Sequence, residues 1–275
     1  MFQNSVEWLA GAPTSIGSTA NHLLSAIPPA DRAALEACMQ TTRVKAGDTL
    51  FQMDSPLSTV HFPLTAVISL LIVTPNGGSS AVGIVGPEGV IGIDVALGSS
   101  RSASGAVVCQ PGTIASVPSI AITRRIEVSA DARHILLAYA HALYTEVSHS
   151  VLCCQQHKLE QRFCHCLLKI SDRAMSPEVD LSHEELGKML GVRRESVTNV
   201  ASRMRRQGLI EYRRGRIIVL DRPALEQHAC ECHFAVPRSA NTWAAPKRPR
   251  VEVHRPKALL NADRFRAPPA AAVYG

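Results

Sequence analysis

The sequence predicts an α+β chain: an N-terminal antiparallel β-roll (jelly roll), a long helix, and a C-terminal winged helix-turn-helix. Three observations carry this expectation. Short β-rich runs separated by glycine and proline turns fill Thr41–Pro118. A helical periodicity follows over Asp131–Lys158. Leu181–Ile218 then spells a capped short helix, a turn glycine, a longer helix and a basic hairpin, in that order.

Taken from the N-terminus, residues 1–21 are small and polar and are expected to form a flexible arm. Asn21–Gln40 has a helical pattern that Pro28 and Pro29 break, with a helix starting at Asp31 and running through Leu35 and Met39. Strands are expected at Thr59–Phe62, Ala66–Val73, Ala81–Val85, Gly105–Cys109 and Thr113–Val117. Turns at Asn76-Gly77-Gly78, Gly86-Pro87-Glu88-Gly89, Gly98 and Pro111-Gly112 separate them. Ser119–Val128 reads as a short helix. In the long helix, Leu136, Ala140, Leu143, Val147, Val151 and Cys154 make an apolar stripe at spacings of three and four. Such a stripe serves either as a core face or as a coiled-coil seam. Leu159–Ala174 continues helical, and beyond about Ala235 the Pro/Arg/Ala composition cannot build a packed core. The expected organisation is an arm (1–21), a β-roll (22–128), a long helix (129–158), a DNA-reading unit (159–234) and a disordered basic tail (235–275).

Charge has to be located before it is interpreted. The formal net charge is +6, but Pro237–Gly275 alone holds eight Lys/Arg against two Asp/Glu, and the remainder is neutral. A nucleic-acid reading therefore rests on the local cluster Arg193–Arg216, with eight arginines and two acids. The best apolar run, Ala66–Val73, contains Ser69 and stops short of a membrane span, and no signal-peptide pattern opens the chain. A cytoplasmic protein with no membrane partner is expected, its eight cysteines free thiols. Cys153-Cys154, Cys164-x-Cys166 and Cys230-x-Cys232 lack the C-x-x-C spacing typical of zinc, so no metal site is expected. His61, His141, His149 and His157 are scattered and read as structural or solvated. No nucleophile–base set appears, and Gly86–Gly92 lacks the strand-to-helix setting of a dinucleotide fingerprint, so an enzyme is not expected.

The DNA-reading segment is the most specific part. Ser182 and Glu185 have capping-box spacing, Leu186, Met189 and Leu190 follow at helical intervals, and Gly191 ends the run. The second helix starts at about Arg193, with Val197, Val200, Ala201 and Met204 on its apolar face, and Gly208 closes it. Its other face shows Arg194, Glu195, Thr198, Asn199, Ser202, Arg203 and Arg206. Leu209–Tyr212 and Ile217–Leu220 form a hairpin whose tip is Arg213-Arg214-Gly215-Arg216.

A β-roll, a long helix and a winged helix-turn-helix in this order resemble the Crp/Fnr family of bacterial transcription regulators, over roughly residues 22–234. The carrying residues are Gly47-Asp48-Thr49-Leu50-Phe51, Val60-His61-Phe62-Pro63, Gly86-Pro87-Glu88-Gly89-Val90-Ile91-Gly92, Glu184-Glu185-Leu186-Gly187 with Met189-Leu190-Gly191-Val192, Arg193-Arg194-Glu195-Ser196-Val197-Thr198, and Gly208-Leu209-Ile210. The resemblance implies a homodimer paired through the long helix, with seam residues Leu136, Ala140, Leu143, Val147, Val151 and Cys154. It implies double-stranded DNA as partner, bound at a palindromic site, and contact with RNA polymerase. Arg194 and Glu195 match the family's Arg-Glu pair at the start of the recognition helix. With Ser196 and Asn199 they are the expected base contacts, since Arg grips guanine O6 and N7 and Glu accepts from cytosine N4. Asn199 stands where many members carry another arginine, which changes the expected target sequence. Arg193, Arg203, Arg213, Arg214 and Arg216 are the expected phosphate contacts. The expected effector pocket is Gly92, Ile93, Arg101 and Ser102. No resident cofactor is expected; a cyclic nucleotide or another small effector is the alternative. Arg101-Ser102 matches the phosphate half of a cyclic-nucleotide site, but Ile93 stands in the glutamate position and cannot accept from a ribose hydroxyl. A redox-responsive regulator acting through Cys153 and Cys154 across a dimer seam is a further alternative.

Overall fold

The computed structural model describes residues 20–213 and 215–235, so the expected arm before Ala20, the tail and Arg214 lie outside the described residues. Asn21 belongs to the body, not to an arm. It is fully buried; its Oδ1 caps the first helix at Leu24 N (2.9 Å) and its Nδ2 donates to Pro63 O (2.9 Å) and Gly89 O (2.8 Å). That helix, α1 (His22–Ala26), is followed by α2 (Pro29–Glu36), which begins two residues before the expected Asp31. Proline at the first helical position lacks only an N–H that would have had no intrahelical partner.

Seven strands form the roll: β1 (Gln40–Val44), β2 (Thr49–Phe51), β3 (Thr59–Pro63), β4 (Val67–Val73), β5 (Ser79–Val85), β6 (Gly105–Gln110) and β7 (Gly112–Pro118). They make two antiparallel sheets, ordered β1-β7-β3 and β2-β6-β4-β5. Between the sheets lies a core that includes Val44, Ile68, Leu70, Val108 and Ile114. A second core packs α1 and α2 onto the roll together with α3 (Ser119–Val128) and the long helix α4 (Ala130–Gln156), through Leu23, Leu35, Phe62, Ile122, Leu136 and Tyr139. Arg125 and Ser129 both reach Asp31, at 2.9 and 2.6 Å, tying α2 to α3 and to the start of α4.

Helix α4 ends where His157 and Lys158 turn extended (ψ 142° and 151°), and α5 (Leu159–Ala174) begins a new direction. The remaining elements are β8 (Glu178–Val179), α6 (His183–Leu190), α7 (Arg194–Arg206), β9 (Ile210–Arg213), β10 (Arg216–Val219), α8 (Arg222–His228) and α9 (Cys232–Ala235). The small sheet is ordered β8-β10-β9. The winged unit shares a core with the roll: Val67, Ile84 and Cys109 pack with Phe163, Leu167, Leu186 and Met189. This explains why β4 reads as a continuous apolar run. Val67–Leu70 are all buried, because both faces of the sheet are covered.

Candidate nucleic-acid interface

The helix pair is built as its residues require. Ser182 Oγ accepts from Glu185 N (3.2 Å), and the Glu185 carboxylate accepts from Ser182 N (2.7 Å), which completes the capping box. The turn depends on two glycines. Gly191 is left-handed (φ 65°) and ends α6, and a Cβ on Gly187 would meet Val192 O at 2.9 Å. Arg162 Nη2 donates to Leu190 O (2.5 Å), satisfying an end carbonyl of α6. Across the pair, His183 Nδ1 lies 3.0 Å from Thr198 Oγ1, and the His183 ring packs 4.5 Å from Tyr212 of the wing.

Val197, Val200, Ala201 and Met204 are buried, as their spacing predicts. The opposite face is presented outward: Arg193, Arg194, Glu195, Asn199, Ser202, Arg203 and Arg206 are exposed, and Ser196 and Thr198 half-buried. Thr198 already donates to Arg194 O (3.0 Å). The arginines differ in how they are held. Arg203 pairs with Glu160 (3.0 Å) and Arg213 with Glu211 (3.0 Å), both as exposed surface pairs. Arg216 is bound twice, to Glu178 (2.5 Å) and to Asp180, and these bonds pin β10 to β8. Arg214 lies outside the described residues.

Two groups of sequence expectations are corrected. The expected effector residues divide. Buried Gly92 (φ 87°) and Ile93 line a cavity of about 280 Å³ between the roll and α4, with Phe51, Leu70, Val82 and Leu143. Arg101 instead lies exposed on Asp54 (2.7 Å), outside that lining. The Ser102 hydroxyl is taken by Gln52 O (2.7 Å). The second group is the seam. Leu136 is 1% exposed in the chain's own core, and Ala140, Leu143 and Val147 are half-buried against the body. Only Val151 and Cys154 of the expected set are exposed. The outward apolar residues of α4 are Leu137 (42%), Tyr144 (70%), Val151 (54%) and Leu152 (48%).

The cysteine readings change as well. Cys164 and Cys166 fill the shared core, as apolar packing would have them. Cys153 and Cys154 part company: Cys154 is exposed, while Cys153 is buried with Cys230, Cys232 and His157, whose potential ligand atoms all lie within 4.8 Å of one another. The spacing of the cysteines gave no sign of this grouping, whose ligand atoms are close enough to hold a metal ion, and His157, read as structural or solvated, is half-buried within it. A sequence signal was present in Cys153-x-x-x-His157, an i, i+4 pair on one helix face, but its partners lie more than seventy residues away.

Residues 161–228 match the Crp-like helix-turn-helix domain. The chain is 27% identical over 202 residues to the transcriptional regulatory protein btr of Bordetella pertussis, an alignment covering 70% of this chain and 82% of that protein. Its fold is similar to that of FixK2 from Bradyrhizobium japonicum, at 16% identity and a TM-score of 0.60, covering 70% of this chain and 98% of that one. It is similar too to a CRP-family transcriptional regulator from Thermus thermophilus, at 22% identity and a TM-score of 0.59, covering 68% and 96%. The described residues contain no helix long and apolar enough to cross a membrane. With a capped helix pair, a basic wing and an antiparallel roll joined by a long helix, the chain carries a Crp-like helix-turn-helix domain within a fold similar to those of FixK2 and the Thermus CRP-family regulator.

Proposed function

We propose that the chain is a sequence-specific regulator that binds a palindromic DNA site as a homodimer, with one α7 in the major groove of each half-site. The observation that carries this reading is the exposed first turn and a half of α7. There Arg194, Glu195 and Asn199 stand outward above a buried apolar face. These are donor and acceptor side chains suited to base edges, with Ser196 beside them. Arg193, Arg203 and Arg213 supply phosphate contacts; the exposed ion pairs of the last two are worth little in water and exchange readily for phosphate. Arg216, held by two carboxylates, acts instead as a strut for the wing.

Dimerisation is assigned to the outer face of α4, where Leu137, Tyr144 and Val151 recur every seven residues. Contact with RNA polymerase belongs to the same reading. The cavity in the roll suits a small, mainly apolar effector. It does not suit a cyclic nucleotide, because Ile93 cannot bind a ribose hydroxyl and Arg101 is outside the lining. Selection of binding sites from a random duplex library, with sedimentation of the recovered complexes, tests the proposal. Two inverted half-sites about one helical turn apart, bound by two chains, are expected. A single half-site bound by one chain overturns it.

A further inference from the structure

Four ligand-bearing side chains converge at the C-terminal end of α4. Cys153 and His157 stand one turn apart there, and Cys230 and Cys232 come from the corner between α8 and α9. Cys153 Sγ lies 3.6 Å from Cys230 Sγ, and Cys232 Sγ lies 3.6 Å from His157 Nδ1. A tetrahedral zinc ion with Zn–S of about 2.3 Å and Zn–N of about 2.0–2.1 Å separates its ligand atoms by about 3.5–3.8 Å. These two separations fall in that range, and all four ligand atoms lie within 4.8 Å of one another. They are far from the S–S bond length of about 2.05 Å in a disulfide, and all these cysteines are free.

The surroundings supply an independent argument. His157 Nε2 lies 3.0 Å from Glu231 Oε1. An ionised carboxylate only accepts, so the neutral tautomer that bonds Glu231 has its proton on Nε2 and its Nδ1 lone pair toward the sulfurs. A carboxylate behind an imidazole is the usual support of a metal-bound histidine. His165 Nδ1 lies 3.4 Å from Cys230 Sγ and 3.8 Å from Cys153 Sγ, placed to donate to a thiolate. All three sulfurs are buried, as a closed structural site requires. Cysteine used as plain apolar filling explains neither the inward imidazole nitrogen nor the carboxylate behind it.

We propose that Cys153, His157, Cys230 and Cys232 bind one zinc ion in a closed Cys3His site that staples the end of α4 to the α8–α9 corner. Binding displaces three thiol protons to solvent; three thiolates, a neutral imidazole and Zn²⁺ leave the site with one net negative charge. The staple spans the break at His157 and Lys158, so it fixes the direction in which the DNA-binding unit leaves the long helix. The full-length chain, reduced, is titrated with Zn²⁺ against a chromophoric chelator, and bound metal is counted by elemental analysis after gel filtration. One zinc per chain is expected. It falls to background in the double variant Cys230→Ser/Cys232→Ser and stays in Cys154→Ser, an exposed neighbour. Glu231→Gln keeps the ion but weakens binding about 10- to 100-fold. Three results overturn the proposal: no zinc bound by the wild-type chain, zinc retained in the double variant, or iron with acid-labile sulfide in its place. The wild-type titration decides the matter even where the double variant fails to fold.

Discussion

Glu195 is the single acid on a helix that also carries Arg194, Arg203, Arg205 and Arg206. A carboxylate facing a phosphate backbone is repelled, so under the proposed DNA-binding reading Glu195 is matched to a base donor, with cytosine N4 as the fitting group. Glu195→Ala is expected to relax preference at one position of each half-site by about 1–3 kcal/mol while leaving other positions unchanged. Arg213→Ala is expected to weaken all duplexes alike and to lower the salt slope by about one. Site selection with the first variant and titration at two salt concentrations with the second check these outcomes; an unchanged site preference for Glu195→Ala would refute its role. At this scale the helix pair was legible because it is local: cap, turn glycine and stripe all lie within Leu181–Gly208. The metal-ligand cluster was not, because only folding brings Cys153 to Cys230. The opposite fates of Arg203 and Arg216 also depend on partners distant in sequence, Glu160 for one and Glu178 and Asp180 for the other.

Among elements, the junction of α5 with α4 and the Gly86–Gly89 turn is held by charge. Arg173 bridges Glu88 (2.6 Å) and Glu146 (3.1 Å), and Lys169 lies 2.6 Å from Glu146, all largely buried. Burial opposes the ionised form of Glu146, but Lys169 and Arg173 override it and hold the carboxyl down from 4.5 to about 2. A depressed folded-state value means that this stability is fully present above the unfolded carboxylate range and is lost as pH falls from there through about 2. The urea midpoint is therefore expected to drop over that window, and the drop to shrink in Glu146→Gln. Arg173→Met removes one partner of buried charges and is expected to cost about 3–5 kcal/mol, read from the same urea curves at neutral pH. None of this network was visible in sequence, since its members come from three separate elements. Helix α3 was legible to the residue. Strand β1 was missed because four of its five residues, Gln40–Arg43, are exposed and polar and leave no alternation to detect.

For the whole molecule the decisive element is α4, which carries two apolar stripes. Sequence spacing left the stripe Leu136, Ala140, Leu143, Val147, Val151 and Cys154 open as core or seam and the family resemblance made it a seam, whereas the fold uses its first four members to seat the helix on its own roll. The outer stripe, Leu137, Tyr144 and Val151, stays exposed on the chain and is the face the proposed dimer would use. Periodicity alone cannot rank two stripes on one helix; the roll decides, because Leu23, Phe62 and Val90 have to be covered and the inner stripe covers them. The two faces predict opposite phenotypes. Tyr144→Glu is expected to leave the fold and the thermal transition nearly unchanged, to place like charges across the two-fold seam, and so to give a folded monomer with weak DNA affinity. Leu136→Glu puts an unpaired carboxylate at a position 1% exposed and is expected to unfold the chain rather than merely dissociate it. Sedimentation at micromolar concentration, alongside circular dichroism melts of both variants, separates the cases. A folded dimer for Tyr144→Glu would move the seam away from this face, and a folded monomer for Leu136→Glu would return it to the stripe that the sequence first suggested.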